Sequence, residues 1–186
     1  MTGRARALAV LCVALVASSS MIAVRAWAAS AAEIRRDSQV ALEKLYENET
    51  AAKLLAEKAK GILVFPSIVK GGFVVGGQIG EGSLWKGGKA VGYYNSVAAS
   101  YGLQAGIQTF GYALFFMNDA ALQQLDSTRG FEIGVGPSIV VVDAGLGKTM
   151  TTNTLTSDVY AFIFDQKGLM AGIGIQGSKI TKVNKQ

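Results

Sequence analysis

Lys70-Gly71-Gly72-Phe73-Val74-Val75-Gly76-Gly77-Gln78 decides the fold. Paired glycines bracket a short run of aromatic and β-branched residues. That composition suits strands whose backbone bends or closely approaches a neighbour. A similar run returns at Lys167-Gly168-Leu169-Met170-Ala171-Gly172-Ile173-Gly174-Ile175, with a looser copy at Gly102-Leu103-Gln104-Ala105-Gly106-Ile107-Gln108. The unequal spacings argue against a solenoid and for glycine-kinked strands reused around one sheet.

Working outward, 22 of the 23 glycines lie between Gly61 and Gly177. The texture predicts strands at Ile62 to Phe65, Phe73 to Ile79, Ala90 to Tyr94, Ser100 to Thr109, Tyr112 to Met117, Phe131 to Val135, Ile139 to Val142, Val159 to Phe164 and Leu169 to Ile175. One short helix interrupts them, capped by Asn118 and ending at Gly130. Ahead of the sheet, Ala32 to Lys60 holds no glycine or proline, and Leu42, Leu45, Leu54 and Leu55 recur at helical spacing. Asp37 or Ser38 could cap a segment there, Asn48 or Thr50 could divide it, and Gly61 ends it. This helical section either packs on the domain behind it or lies on a membrane surface. The expected class is α+β: amino-terminal helices packed on a curved, mainly antiparallel glycine-rich β-sheet, with one further short helix.

At the amino terminus, Arg4 and Arg6 precede an uncharged stretch from Ala7 to Val24, followed by Ala26-Trp27-Ala28. This is the layout of a secretory signal cleaved before Ala29; the alternative is an uncleaved amino-terminal anchor. The expected organisation is a signal at 1–28, a helical section at 29–60 and a glycine-rich β domain at 61–186. Residues 29–186 then form one domain, exported to a periplasmic or envelope location. The only cysteine, Cys12, would leave with the signal, and the chain has no histidine. Disulfides, the usual zinc ligands and the commonest general base are all absent from such a mature chain, which argues against an enzyme, a metal site or a cofactor.

The formal charge of +5 divides unevenly. Arg4, Arg6 and Arg25 belong to the targeting segment, residues 33–60 balance six acids with six bases, and residues 61–177 carry seven acids against six bases. The rest is Lys179, Lys182 and Lys185 at the carboxyl end. No broad basic field covers the body, so a nucleic-acid groove is not expected.

Several motifs look like chemistry and lack its context. Gly145-Leu146-Gly147-Lys148-Thr149 resembles the end of a phosphate-binding loop, but Val142 stands where the first glycine belongs; a turn between strands is the better reading. Gly172-Ile173-Gly174-Ile175-Gln176-Gly177 has dinucleotide-site spacing, yet no helix or acidic residue follows at the right distance. Ser67-Ile68-Val69-Lys70 has serine–lysine spacing, but Pro66 and Gly71 frame a turn there instead of a helix start. Asp143, Asp158, Asp165 and Glu81 show no spacing that pairs two of them. More informative is Gly80-Glu81-Gly82-Ser83-Leu84-Trp85-Lys86-Gly87-Gly88-Lys89. An exposed indole beside two lysines suits a lipid interface. The competing reading is a hairpin whose tryptophan packs back onto the sheet.

Lys60-Gly61-Ile62-Leu63-Val64-Phe65-Pro66, Gly71-Gly72-Phe73-Val74-Val75-Gly76-Gly77, Gly102-Leu103-Gln104-Ala105-Gly106, Phe116-Met117-Asn118, and Val159-Tyr160-Ala161-Phe162 followed by Lys167-Gly168-Leu169-Met170-Ala171-Gly172 stand in a familiar order. With them, Ala59 to Val183 resembles the SYLF domain family. Its eukaryotic members are described as phosphoinositide- and actin-binding modules and its bacterial members as exported proteins. The chain departs from the pattern at Tyr93-Tyr94-Asn95-Ser96-Val97, where members often carry tryptophan and proline, and near Gly111, where they carry an aspartate. The resemblance implies a lipid-binding module without catalytic residues. The helix that family accounts place ahead of the domain corresponds to Arg35, Arg36, Lys44 and Lys53. Together with Trp85, Lys86, Lys89, Lys70, Lys179 and Lys182 these are the candidate contacts to an anionic phospholipid or phosphoinositide-like surface. The alternative is a structural or partner-binding cell-envelope protein whose kinked strands offer an edge.

Overall fold

A computed structural model describes residues 29–127, 130–150, 155–168 and 174–185. The signal at 1–28 and most of the predicted strand Leu169 to Ile175 lie outside the described residues. From Ala31 onward the chain gathers into one compact unit.

Helix α1 spans Ala31–Asn48 and α2 spans Thr50–Ala56. In α1 the buried residues Ile34, Ser38, Ala41, Leu42 and Leu45 fall on one stripe, so the helix packs by that face. Glu49, in extended geometry at φ −126°, divides the two helices. The expected break is therefore found one residue from either candidate. Ser38 is not a cap: it is buried mid-helix, and its hydroxyl donates to the Val64 carbonyl at 3.4 Å.

Two long strands follow, β1 at Gly61–Lys86 and β2 at Lys89–Phe116. They form one antiparallel hairpin in register from Gly61↔Phe116 to Lys86↔Lys89. Where glycine suggested strand ends, the ladder bends and continues, because the hydrogen bonds need only the backbone. The turn expected between Pro66 and Gly71 is a bulge: pairing passes from Phe65↔Tyr112 to Ile68↔Phe110, leaving Pro66 and Ser67 opposite Gly111. Proline is tolerated at such a site because no ladder N–H is required of it.

Beyond β2 come the short helix α3 (Asp119–Gln123), a 3-10 turn at Gln124–Asp126, strand β3 (Phe131–Glu132), strand β4 (Ile139–Val141), helix α4 (Ala144–Thr149), strand β5 (Val159–Gly168) and strand β6 (Lys179–Val183). The sheet order is β3-β6-β2-β5-β4, with β1 beside β2. Among the described residues only β4 with β5 is parallel. The α+β class, with helices ahead of a curved and mainly antiparallel sheet, is thus observed. Asn118 caps α3 as expected, accepting from the Ala121 N–H at 2.8 Å. Two local expectations are corrected. The turn predicted at Gly145 to Thr149 is helix α4, started by Asp143, whose carboxylate accepts from Gly145 N at 2.9 Å and Leu146 N at 2.7 Å. The carboxyl-terminal lysines are not a free tail: Lys179–Val183 pairs with Tyr93 to Val97 and buries Ile180.

Side-chain alternation divides the core. Leu63, Phe65, Tyr112, Leu114 and Phe116 face inward, while Ile62, Val64, Ala113 and Phe115 meet the helices together with Tyr160 and Phe162. The two arms of β1 lie almost in backbone contact: a Cβ on Gly82 would stand 2.2 Å from the Val64 carbonyl oxygen and 2.7 Å from the Phe65 ring. Only glycine permits that approach.

Candidate functional site

The hairpin tip is a two-glycine turn. Gly87 and Gly88 have φ of 55° and 76°, the left-handed geometry that closes a tight hairpin without steric cost at these positions. The turn sets Lys86 and Lys89 directly opposite each other, both exposed. Like charges at such a position destabilise a strand pair.

Trp85, one residue before, turns the other way. It is 9% exposed, lies in the helix-side core with Leu42 and Ile62, and donates its indole N–H to Ser83 Oγ at 2.8 Å. The exposed-indole reading is corrected: the helices supply an apolar surface that the ring covers.

Behind the tip, Lys182 Nζ lies 2.7 Å from Asp126 Oδ1, and the Tyr94 hydroxyl donates to the same oxygen at 3.3 Å. The Lys182 hydrogen bond holds the Asp126 carboxyl below the usual carboxylate range, and the positive charge of Lys86 adds to that effect. Asp126 thus stands close enough to Lys182 and Lys86 to feel both charges, and Lys86 in turn faces Lys89 across the turn. Burial is the leading reason the Tyr94 hydroxyl is pushed far above its ordinary value, with the Asp126 charge adding to it.

The remaining candidates do not join this cluster. Lys70 is enclosed at 7% exposure opposite Gln108 in the ladder, which corrects its expected place on the surface. Lys44 pairs with Asp165 at 2.5 Å, and Arg36 with its neighbour Asp37 at 2.9 Å. Arg35 and Lys53 are exposed on α1 and α2, and Lys179 is exposed opposite Val97. Lys185 is drawn into a largely covered pair with Glu81 at 2.5 Å. Asp126 and Tyr94 were missed by sequence reasoning, since nothing local marks a partner 56 residues from Lys182.

Among the described residues, no three histidine, cysteine, aspartate or glutamate side chains are grouped to hold a metal ion, and no helix is long and apolar enough to cross a membrane.

The elements together make an α+β domain built on a glycine-rich sheet. A family model described as Ysc84, Las17-binding protein actin regulator, matches residues 97–186, and the SYLF resemblance is shown over that stretch. The matched region begins within β2 and runs through β6. The family is one of binding domains and not a known enzyme family. No curated protein matches the chain.

Proposed function

We propose that this chain is a non-enzymatic module that meets anionic phospholipid headgroups with the tip of the β1–β2 hairpin. The observation that carries the reading is the exposed Lys86–Lys89 pair, held face to face across Gly87 and Gly88 with Lys182 nearby. A phosphate between the two ammonium groups would turn their repulsion into attraction. Lysines near an anionic membrane contribute about 1 kcal/mol each, so Lys86 and Lys89 together contribute about 2 kcal/mol, roughly a 30-fold change in affinity. Arg35, Lys53 and Lys179 are further exposed bases, placed outside the cluster. An exported protein with its signal removed before Ala29 would meet such a surface in the cell envelope.

Vesicle flotation tests the reading. The chain should float with vesicles rich in anionic phospholipid and not with neutral ones, and added salt should release it. Replacing both lysines, Lys86→Glu and Lys89→Glu, should abolish flotation without lowering the melting temperature. Equal behaviour on neutral and anionic vesicles, or undiminished flotation of the double variant, refutes the assignment. A partner-binding envelope protein is the second reading, favoured by the β5 edge beyond Ala161, which no strand among the described residues pairs.

A further inference from the structure

Strand β4 covers β5 only from Val159 to Ala161. After Asp143 the chain turns away into α4. The pairing shows which backbone groups point at that edge: Val159 N donates to Ser138 O at 2.9 Å, and Val142 N donates to Ala161 O at 2.8 Å. Backbone groups in a strand alternate from one edge to the other, so the odd-numbered residues of β5 serve this edge. Ile163 is the next rung, and among the described residues no strand pairs with it on that side.

A cavity of about 570 Å³ lies beside the rung. One wall is a single stripe of α1, running from Ala41 through Lys44 and Leu45 to Asn48. The opposite wall is five consecutive residues, Phe162 to Gln166. Phe162 and Phe164 face the helices while Ile163 packs on the opposite side of the sheet, so Ile163 meets the cavity through its backbone; beyond it the left-handed Asp165, at φ 51°, breaks the alternation. A helix facing an open strand edge across an apolar-floored cleft is the geometry in which an extended peptide adds as a further strand. The α1 stripe from Ala41 to Asn48 is about 10 Å long, enough for about three extended residues.

The charges of the lining define what would enter. Lys44 contributes +1 and Glu49, Asp143 and Asp165 contribute −3, leaving a net −2. Lys44 is already paired with Asp165 at 2.5 Å, so Glu49 and Asp143 set the sign that an arriving side chain meets.

We propose that the β5 edge between Phe162 and Gln166 is a docking site for an extended, basic peptide segment of a partner protein. The segment would hydrogen-bond to the Ile163 backbone, rest apolar side chains on Leu45 and Phe164, and direct a lysine or arginine to Glu49 and Asp143. The site is separate from the lysine-bearing hairpin tip and does not depend on lipid binding.

The test uses the full chain and a fluorescein-labelled peptide alternating valine and lysine, with a valine–glutamate peptide as control. Anisotropy should show saturable binding of the basic peptide alone, weakened about fivefold or more by Glu49→Lys and by high salt. Hydrogen exchange at the Ile163 amide should slow about tenfold when the peptide binds. Glu49→Lys should leave melting and vesicle flotation unchanged, which separates failure here from failure of the lipid reading. Asp165→Asn, which keeps a residue tolerant of the left-handed φ of 51°, should also weaken peptide binding. Equal binding of the acidic peptide, binding without protection at Ile163, or an Ile163 amide already protected in the free protein by its own chain or a second copy would each overturn the proposal.

Discussion

Replacing Gly82 with alanine tests the doubled-back hairpin. The new methyl group would sit 2.2 Å from the Val64 carbonyl oxygen, with Phe65 ring atoms at 2.7 and 2.9 Å. Neither neighbour is the loose end of a side chain. Val64 is in the β1–β2 ladder opposite Ala113, and Phe65 is fully buried against Tyr112 with ring centroids 4.7 Å apart. One arm of β1 must move by roughly 1 Å, an overpacking strain that costs about 3 kcal/mol. At about 2–4 °C per kcal/mol for a domain of this size, the melting temperature should fall by about 6–12 °C. Gly77→Ala is the matched control. Its methyl group would find only the Ala98 carbonyl oxygen, at an ordinary 3.5 Å, so stability should change by less than about 0.5 kcal/mol. Circular-dichroism melts and urea titrations of both variants measure the difference. A Gly82→Ala protein melting beside its Gly77→Ala counterpart would refute the close approach of the two arms of β1, and with it the account of why glycine recurs there.

Three further outcomes follow from the same contacts. Ser83→Ala strands the buried Trp85 N–H and should cost about 1–3 kcal/mol in urea titration, while an unchanged midpoint would mean that the indole reaches water. Asp126→Asn removes a carboxylate beside Lys86 and Lys182 and should strengthen flotation on anionic vesicles about fivefold; weaker flotation would contradict the proposed surface. The Asp158 carboxyl is held below its ordinary range first by the Ser138 backbone N–H, then by the Asn118 amide and the Ser138 hydroxyl. Its folded pKa is depressed, so its contribution is fully present above the unfolded value of about 3.9 and is lost as pH falls through the folded value. Urea midpoints measured from neutral to acid pH should therefore drop more steeply in the native chain than in Asp158→Asn; parallel curves would remove Asp158 from the account.

What the sequence disclosed depended on how local each cause is. The Asn118 cap was legible because donor and acceptor lie three residues apart. The amphipathic stripe of α1 was legible because its period is carried by the helix itself. The ends of β1 and β2 are not legible because glycine reads as punctuation in the sequence, whereas a ladder crosses glycine and simply bends. For the candidate site, the two lysines flanking Gly87-Gly88 could be read directly, since the turn brings them together. The fate of Trp85 could not: it depends on Leu42 and Ile62, which the fold carries to it. The carboxyl-terminal lysines were equally opaque, because their acids lie 56 and 104 residues away. Those two pairs leave less of the +3 for an outside partner than the bare count implies.

The long hairpin also dictates an order of assembly. Its tip joins Lys86 to Lys89, while its base joins Gly61 to Phe116, so closure is cheapest at the tip and becomes harder toward the base. The first contact to form is thus the one between two like charges, where phosphate or salt would ease nucleation. The face that receives α1 is completed only when Tyr160 and Phe162 join Val64 and Phe115. A helix made early in synthesis must therefore keep Leu42 and Leu45 out of unwanted associations until nearly the whole chain exists. This domain is expected to lean on a chaperone, or on slow release from its site of synthesis, more than its size alone would require.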